Sequence, residues 1–274
     1  MKNKETIEKC EKIIDENRRI TVEELSACLH FSVGSVHALI HELGFHKVSS
    51  RFVPRFLTAE MREDRVECCQ ANLKVYKKYG EAFLNNIVTV DETPLSLYIP
   101  ETKKQSMEWK RPFEGPSWKV TSSTEHRKEL MLTCFWDDHG IINVDFLEKG
   151  YNMNGAYYAD LLRQTRHLRR KSKSVPLWLL QDKSLVAQKA IEESGFEALL
   201  HPPYSPDMAP SDFKLFNALK SAIRGQKFES QNDLKEFVQD WFHELPPNFC
   251  HDAFRELIVR WNKCVEVDGQ WFEK

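Results

Sequence analysis

The sequence predicts a mixed α/β protein: an N-terminal helical region, a mixed-sheet domain after it, and added helices at the C-terminal end. Three observations carry this. Apolar residues recur at helical spacing up to about residue 80. After Asn85 the text turns β-rich, in "NNIVTVDETPLSLYIP" and "ELMLTCFWDDHGIINVDFLEKG". From Ser211 onward the helical period returns. Strands alternating with helices put the second region in the α/β class. A chain of 274 residues, 41% hydrophobic, is long enough for one large or two smaller cores.

The elements follow in order. In "KETIEKCEKIIDEN", Ile7, Ile13 and Ile14 share one face of a first amphipathic helix. Thr21 with Glu24 is a capping-box start for a second, and Leu25 and Leu29 extend its apolar stripe. "HFSVG" is a break. A third helix spans about residues 33–43, with Val36, Leu39 and Ile40 inward, and Gly44 stops it. Two short helices around a tight turn fit a helix-turn-helix, and equally any small helical hairpin. "HKVSSRFVPRFLT" is extended and basic, because Pro54 forbids a continuous helix. It reads as an arm along a DNA backbone or as a linker. "TAEMREDRVECCQANLKVYKKYGEAFL" is one long helix capped by Thr58, and the pattern changes near residues 82–86, where the domain boundary is expected.

In the second region "DDHG" turns a β-hairpin. "NGAYYADLLRQTRHLRRK" is a helix, "VPLWLLQD" a buried strand, "KSLVAQKAIEESGF" a helix closed by Gly195, and "FEALLHPP" another strand. "SDFKLFNALKSAIRGQ", "QNDLKEFVQDWFHEL" and "HDAFRELIVRWNKCVEVDG" are helical. The expected domains are 1–50, helix-turn-helix; 51–84, linker and helix; and 85–274, the mixed-sheet domain.

Charge and cysteines narrow the classes. No apolar run approaches a membrane span, so no membrane partner is expected. The charged start lacks the apolar core of a signal peptide. Seven cysteines without a C-x-x-C pair predict free thiols in a reducing compartment rather than a zinc site. The formal net charge of −2 decides nothing about nucleic acid, because distribution matters more than the sum. One run, "RQTRHLRRKSK", holds six Arg or Lys and no acid. It is a solvated helix end or a weak nuclear import signal.

Three aspartates stand out by position. Asp91 interrupts the apolar "IVTVDE", Asp182 ends "LWLLQD", and Asp212 follows the proline-rich "HPPYSPDMAP". Converging carboxylates at strand ends and helix starts hold Mg²⁺ or Mn²⁺ through oxygen ligands. Two such ions about 4 Å apart activate an attacking oxygen and stabilise a leaving one in phosphodiester cleavage. Taken singly, each has a plainer role. Asp91 terminates a strand, Asp182 caps the next helix, and Ser211 with Asp212 caps another.

Several longer stretches decide between these. "VTVDE", "PETKKQSMEW", "FWDDHGIINVDFLEKG", "NGAYYADLL", "HPPYSPDMAPSDFKLF", "FES" and "RWNKCVEVDGQWFEK" resemble, in order, the mariner branch of the Tc1/mariner transposases. "RFVPRFLT" resembles that family's linker motif. The resemblance covers nearly the whole chain. It implies a helix-turn-helix region followed by an RNase H-like catalytic domain. It also implies an Asp-Asp-Asp metal site at Asp91, Asp182 and Asp212, loaded with Mg²⁺ or Mn²⁺. The prolines then fix the loop that sets the third ligand, and Asp207 is a turn residue. The implied activity is transposition: hydrolysis of phosphodiesters at transposon ends and joining of the freed 3′-hydroxyl to target DNA. The implied partners are double-stranded DNA at terminal inverted repeats and a second copy of the chain. The expected location is the nucleus. Ser35, His37 and His41 are the expected groove contacts of the third helix, and Lys47, Arg51 and Arg55 the expected backbone contacts.

The chain departs from the family in three places. One helix-turn-helix is present, resembling the second of the family's two. The block that follows the family's second aspartate is absent: "QDKSLVAQKA" runs straight from Asp182 to Lys183, and twenty-nine residues separate Asp182 from Asp212 where the family has thirty-four. A lysine beside a metal ligand competes with the metal, and an error of about 1 Å in such a site costs about a hundredfold in rate. Pro94 replaces the family's tryptophan, removes a backbone donor and is expected to bend the strand carrying Asp91. Impaired cleavage is therefore expected. The alternatives are a DNA-binding or dimerising protein that has lost its chemistry, and a general nuclease on RNA–DNA hybrids. The last has no use for the N-terminal helices.

Overall fold

The computed structural model describes residues 4–18, 20–46, 55–101, 129–148, 150, 153–169, 175–181 and 190–272. The chain separates into two compact units, Met1–Val53 and Pro54–Lys274.

The first unit holds α1 (Lys4–Glu16), α2 (Val22–Leu29) and α3 (Val33–Glu42). Cys10, Leu25, Leu29, Val36 and Leu39 form its core. The capping box is present. Thr21 N donates to Glu24 Oε2 at 2.8 Å, and Glu24 N to Thr21 Oγ1 at 3.1 Å. Between α2 and α3, His30 takes a left-handed conformation and Ser32 caps α3 through Ser35 N. That tight reversal makes the pair a helix-turn-helix.

The second unit begins its regular structure with α4 (Ala59–Tyr79), capped by Thr58, and the short α5 (Glu81–Leu84). Then come β1 (Ile87–Ser96), β2 (Glu129–Asp137), β3 (Gly140–Glu148), α6 (Gly155–Leu168), β4 (Trp178–Leu180) and β5 (Glu197–Ala198). The sheet order is β3-β2-β1-β4-β5. β1, β2 and β3 run antiparallel to one another, β4 runs parallel to β1, and β5 parallel to β4. Asp137 Oδ1 accepts from His139 N and Gly140 N, which closes the "DDHG" turn. A 3₁₀ turn (Pro206–Met208), a π-helical turn (Ser211–Phe216), α7 (Asn217–Ile223), α8 (Gln231–His243) and α9 (Phe249–Glu266) complete the chain. No described helix is long and apolar enough to cross a membrane.

Strand alternation sends side chains to two faces. Ile87 and Leu95 of β1, with Leu132, Cys134 and Trp136 of β2, pack into one core with α5 and α7–α9. Val88, Val90 and Phe135 pack into a second core with Leu161 and Leu162 of α6. The helix α4 lies within this unit, against α9. The change of pattern near residues 82–86 is thus a turn inside the second unit.

Pro94 does not disrupt β1. The β1–β2 register runs unshifted from Val88↔Asp137 to Ser96↔Glu129. β4 pairs only with residues 87–89, so among the described residues the other edge of β1 has no strand beside Pro94. A missing N–H is tolerated at such an edge.

Candidate active site

Asp91 lies inside β1, not at its end, and pairs across the ladder with Cys134. Its parity is that of Ile87 and Leu95, so it points to the face that carries the larger core. Trp136 stands two residues from Cys134 on the same face of β2. The indole Nε1 of Trp136 donates to Ser211 Oγ at 3.0 Å, and both residues are fully buried. Ser211 therefore does not cap a helix. The segment starts with Pro210 at the cap position and no side-chain capping bond. Phe213, Leu215 and Phe216 sink into the same core. Asp212, half-buried, sits between the anchor at Ser211 and the anchor at Phe213.

The Ser211–Phe216 segment packs against β1, which brings Asp212 to the part of the sheet that carries Asp91. Lys220 of α7 registers both. Burial pushes its ammonium below the usual lysine range, while the charges of Asp212 and then Asp91 push it back up. Tyr158 of α6 approaches from the other side. Burial raises its phenol first, and Glu92 and Asp91 raise it further. Its hydroxyl donates to Gln181 Oε1, just past β4. Asp182, the remaining expected ligand, lies outside the described residues. Among the described residues no three His, Cys, Asp or Glu side chains form a metal-holding group. Two half-buried carboxylates offer oxygen donors of the kind that suit a hard divalent cation.

Asp207 has both carboxylate oxygens taken up by Arg65. It sits in the Pro206–Met208 turn and faces Arg65, with Nη2–Oδ2 at 2.7 Å and Nη1–Oδ1 at 3.0 Å. Sequence reasoning missed Arg65, Trp136, Tyr158 and Lys220, and read Ser211 only as a cap. No local pattern singles out the four, because their partners, Asp212 beside Lys220 excepted, lie far away in the chain.

In the first unit, Ser35, His37 and His41 are exposed on α3. His37 and His41 share a face, with ring centroids 4.5 Å apart, and His46 adds a third ring 6.0 Å from His41. At about 100° per residue Ser35 points roughly the opposite way. It shares a 2.8 Å hydroxyl bond with Ser32 at the helix cap. Lys47 and Arg51 lie outside the described residues. In the second unit, the Arg55 guanidinium stacks 5.1 Å from the Tyr204 ring centre. The basic run of α6 is partly structural. Arg169 Nε lies 2.6 Å from Asp137 Oδ2, and Arg166 stacks on Phe196. Residues 170–174 lie outside the described set. All seven cysteines are free thiols, six of them buried.

A family described as "Transposase (partial DDE domain)" matches residues 99–177. The Mariner Mos1 transposase of Drosophila mauritiana is 30% identical over 275 residues, which covers 95% of this chain and 77% of that protein. The human histone-lysine N-methyltransferase SETMAR is 29% identical over 272 residues, covering 95% of this chain and 39% of its own length. The crystal structure of the Mos1 mariner paired end complex with Mn superposes with a TM-score of 0.82 at 28% identity. That match covers 97% of this chain and 80% of the other. Its likeness extends across the helix-turn-helix and the RNase H-like mixed sheet. The fold and the sequence similarity over 95% of the chain converge, and the chain belongs to the mariner family of transposases.

Proposed function

We propose that the chain binds double-stranded DNA at transposon ends and cuts and joins phosphodiesters there, as a homodimer in the nucleus, with cleavage slowed by the shortened segment after Asp182. The observation that carries the chemistry is the convergence of Asp91 and Asp212 on one part of the sheet, with Lys220 in the field of both. The similarity to Mos1 complexes with transposon ends, Mn and Mg supports the DNA and metal parts. Asp91, Asp182 and Asp212 would hold the divalent ions. When bound, these ions stabilise charge on the attacking and leaving oxygens of an in-line displacement. The protein's own share is placement. The buried Trp136–Ser211 bond fixes the start of the segment that presents Asp212, and the β1–β2 ladder fixes Asp91. His37 and His41 of the first unit would face base edges, and Lys47, Arg51 and Arg55 would touch phosphates.

A second reading, a DNA binder without chemistry, is favoured by one observation. Lys220 places an ammonium where the two carboxylates act on it. A fixed cation there competes with a metal. The test is Mg²⁺-dependent nicking of an inverted-repeat duplex by the purified chain. Nicking that Asp91→Ala abolishes supports the enzyme. Salt-sensitive binding without nicking supports the second reading. Absence of both refutes the two together.

A further inference from the structure

We propose that Arg65 is the positioning residue for Asp212, acting through Asp207 and the proline-rich loop. This rests on the reading of Asp212 as a metal ligand. Arg65, Cys69 and Asn72 stand at i, i+4 and i+7 on one face of α4, and are 1%, 0% and 2% exposed. Each grips the loop at a different point. Asn72 Nδ2 donates to Leu200 O at 2.8 Å. Arg65 Nη1 donates to Ser205 Oγ at 2.7 Å, and its fork meets both Asp207 oxygens. Cys69 Sγ lies 3.2 Å from Met208 Sδ. Together they form a rail that the loop follows from residue 200 to residue 208.

Arg65 is itself held on its far side. Its Nε donates to Gly269 O at 2.9 Å, and its guanidinium stacks 4.6 Å from the Trp271 ring centre. Arg260 of α9 takes the same turn from another direction. Its Nη1 donates to Asp207 O at 2.9 Å, while its guanidinium covers Phe213 at 4.0 Å. The turn at Asp207 is thus clamped by side chain and by carbonyl. Four residues separate it from Asp212. Pro210 fixes φ within that short span and Pro206 fixes it just before Asp207, Met208 is fully buried, and Ser211 is bonded to Trp136. So stiff a span passes any displacement of Asp207 on to Asp212. A planar guanidinium suits this role because its bidentate pairing fixes orientation as well as distance.

The test uses the full chain with Arg65→Lys, which keeps the charge and loses the fork, and Asp207→Asn, which keeps the shape and loses the charge. Amide hydrogen exchange is measured across 205–216 and across α8, and Mn²⁺ binding by calorimetry. Exchange in 205–216 is expected to quicken about tenfold while α8 stays at the wild-type rate. Mn²⁺ affinity is expected to fall about 10- to 100-fold, as for other residues that support a ligand from behind. Unchanged protection of 205–216 in both variants overturns the proposal. So does loosening of 205–216 and α8 together, or failure of both variants to fold, since Arg65 then serves stability in general. If the wild-type chain takes up no Mn²⁺, the reading of Asp212 as a ligand fails, and the exchange data alone decide whether Arg65 sets the loop.

Discussion

Replacing Gly269 by alanine should be far more damaging than replacing Gly195, although both glycines have similar backbones. Gly269 has φ +72° and Gly195 has φ +78°. An alanine at either pays the left-handed strain, about 1–2 kcal/mol. The surroundings differ. At Gly195 the nearest atom to a new Cβ is Arg166 Nε at 3.6 Å, an ordinary contact. At Gly269 the new Cβ would lie 2.8 Å from the carbonyl carbon and the Cα of Arg62, and closer still to the carbonyl oxygen. Those are backbone atoms of α4 and cannot swing away. The turn carrying Gly269 must lift off α4 instead, which breaks the 2.9 Å bond from Arg65 Nε to Gly269 O. A bond from a charged donor contributes about 1.5–3 kcal/mol. The total for Gly269→Ala is then about 3–5 kcal/mol. In a unit of this size each kcal/mol moves Tm by about 2–4 °C, so the expected loss is about 10 °C, against about 4 °C for Gly195→Ala. Differential scanning calorimetry of the two variants measures this directly. Equal losses would show that backbone strain alone matters and that the close approach of the C-terminal turn to α4 contributes nothing.

Two further outcomes follow from the same packing. Ser211→Ala should strand the buried Trp136 indole N–H and cost about 1–3 kcal/mol, while adding Trp136→Phe should recover part of that loss, because removing both partners leaves nothing unpaired; urea denaturation of both variants checks it. Cys250 supplies a pH test. Burial, then the charges of Asp137 and Asp138, push its thiol from 9.0 up to about 11. Between those values the folded chain keeps a proton that the unfolded chain has lost, so stability falls as pH rises through this window, by about 3 kcal/mol at most. Cys250→Ala should show a smaller decline between pH 8.5 and 11 in urea denaturation, and identical slopes for the two proteins would refute the assignment.

Local chemistry made much of this protein legible before any coordinates. The Thr21–Glu24 capping box, the break at "HFSVG", the Thr58 cap and the "DDHG" turn depend on residues within a few positions of each other, and each forms as expected. Alternation along β1 likewise fixes which side chains share a face with Asp91. Family-like text further named Asp91, Asp182 and Asp212 together, which spacing alone did not. Ser35 shows the limit even at short range. Its type suits a groove contact, but its hydroxyl serves the cap and its direction is roughly opposite to that of His37 and His41.

What only the tertiary structure decided are the long-range partners. Nothing near Arg65 and Asn72 in the sequence marks them as buried, yet they are, because acceptors more than a hundred residues downstream meet them. Pro94 reads as a strand breaker, yet its edge of β1 has no described strand to lose a bond with. Ser211 reads as a cap, yet it accepts from Trp136, 75 residues earlier. The physical reason is common to all three. Helix caps, turns and face parity follow from backbone geometry over a few residues, whereas the partner of a buried polar group is set by which distant segments the core draws together.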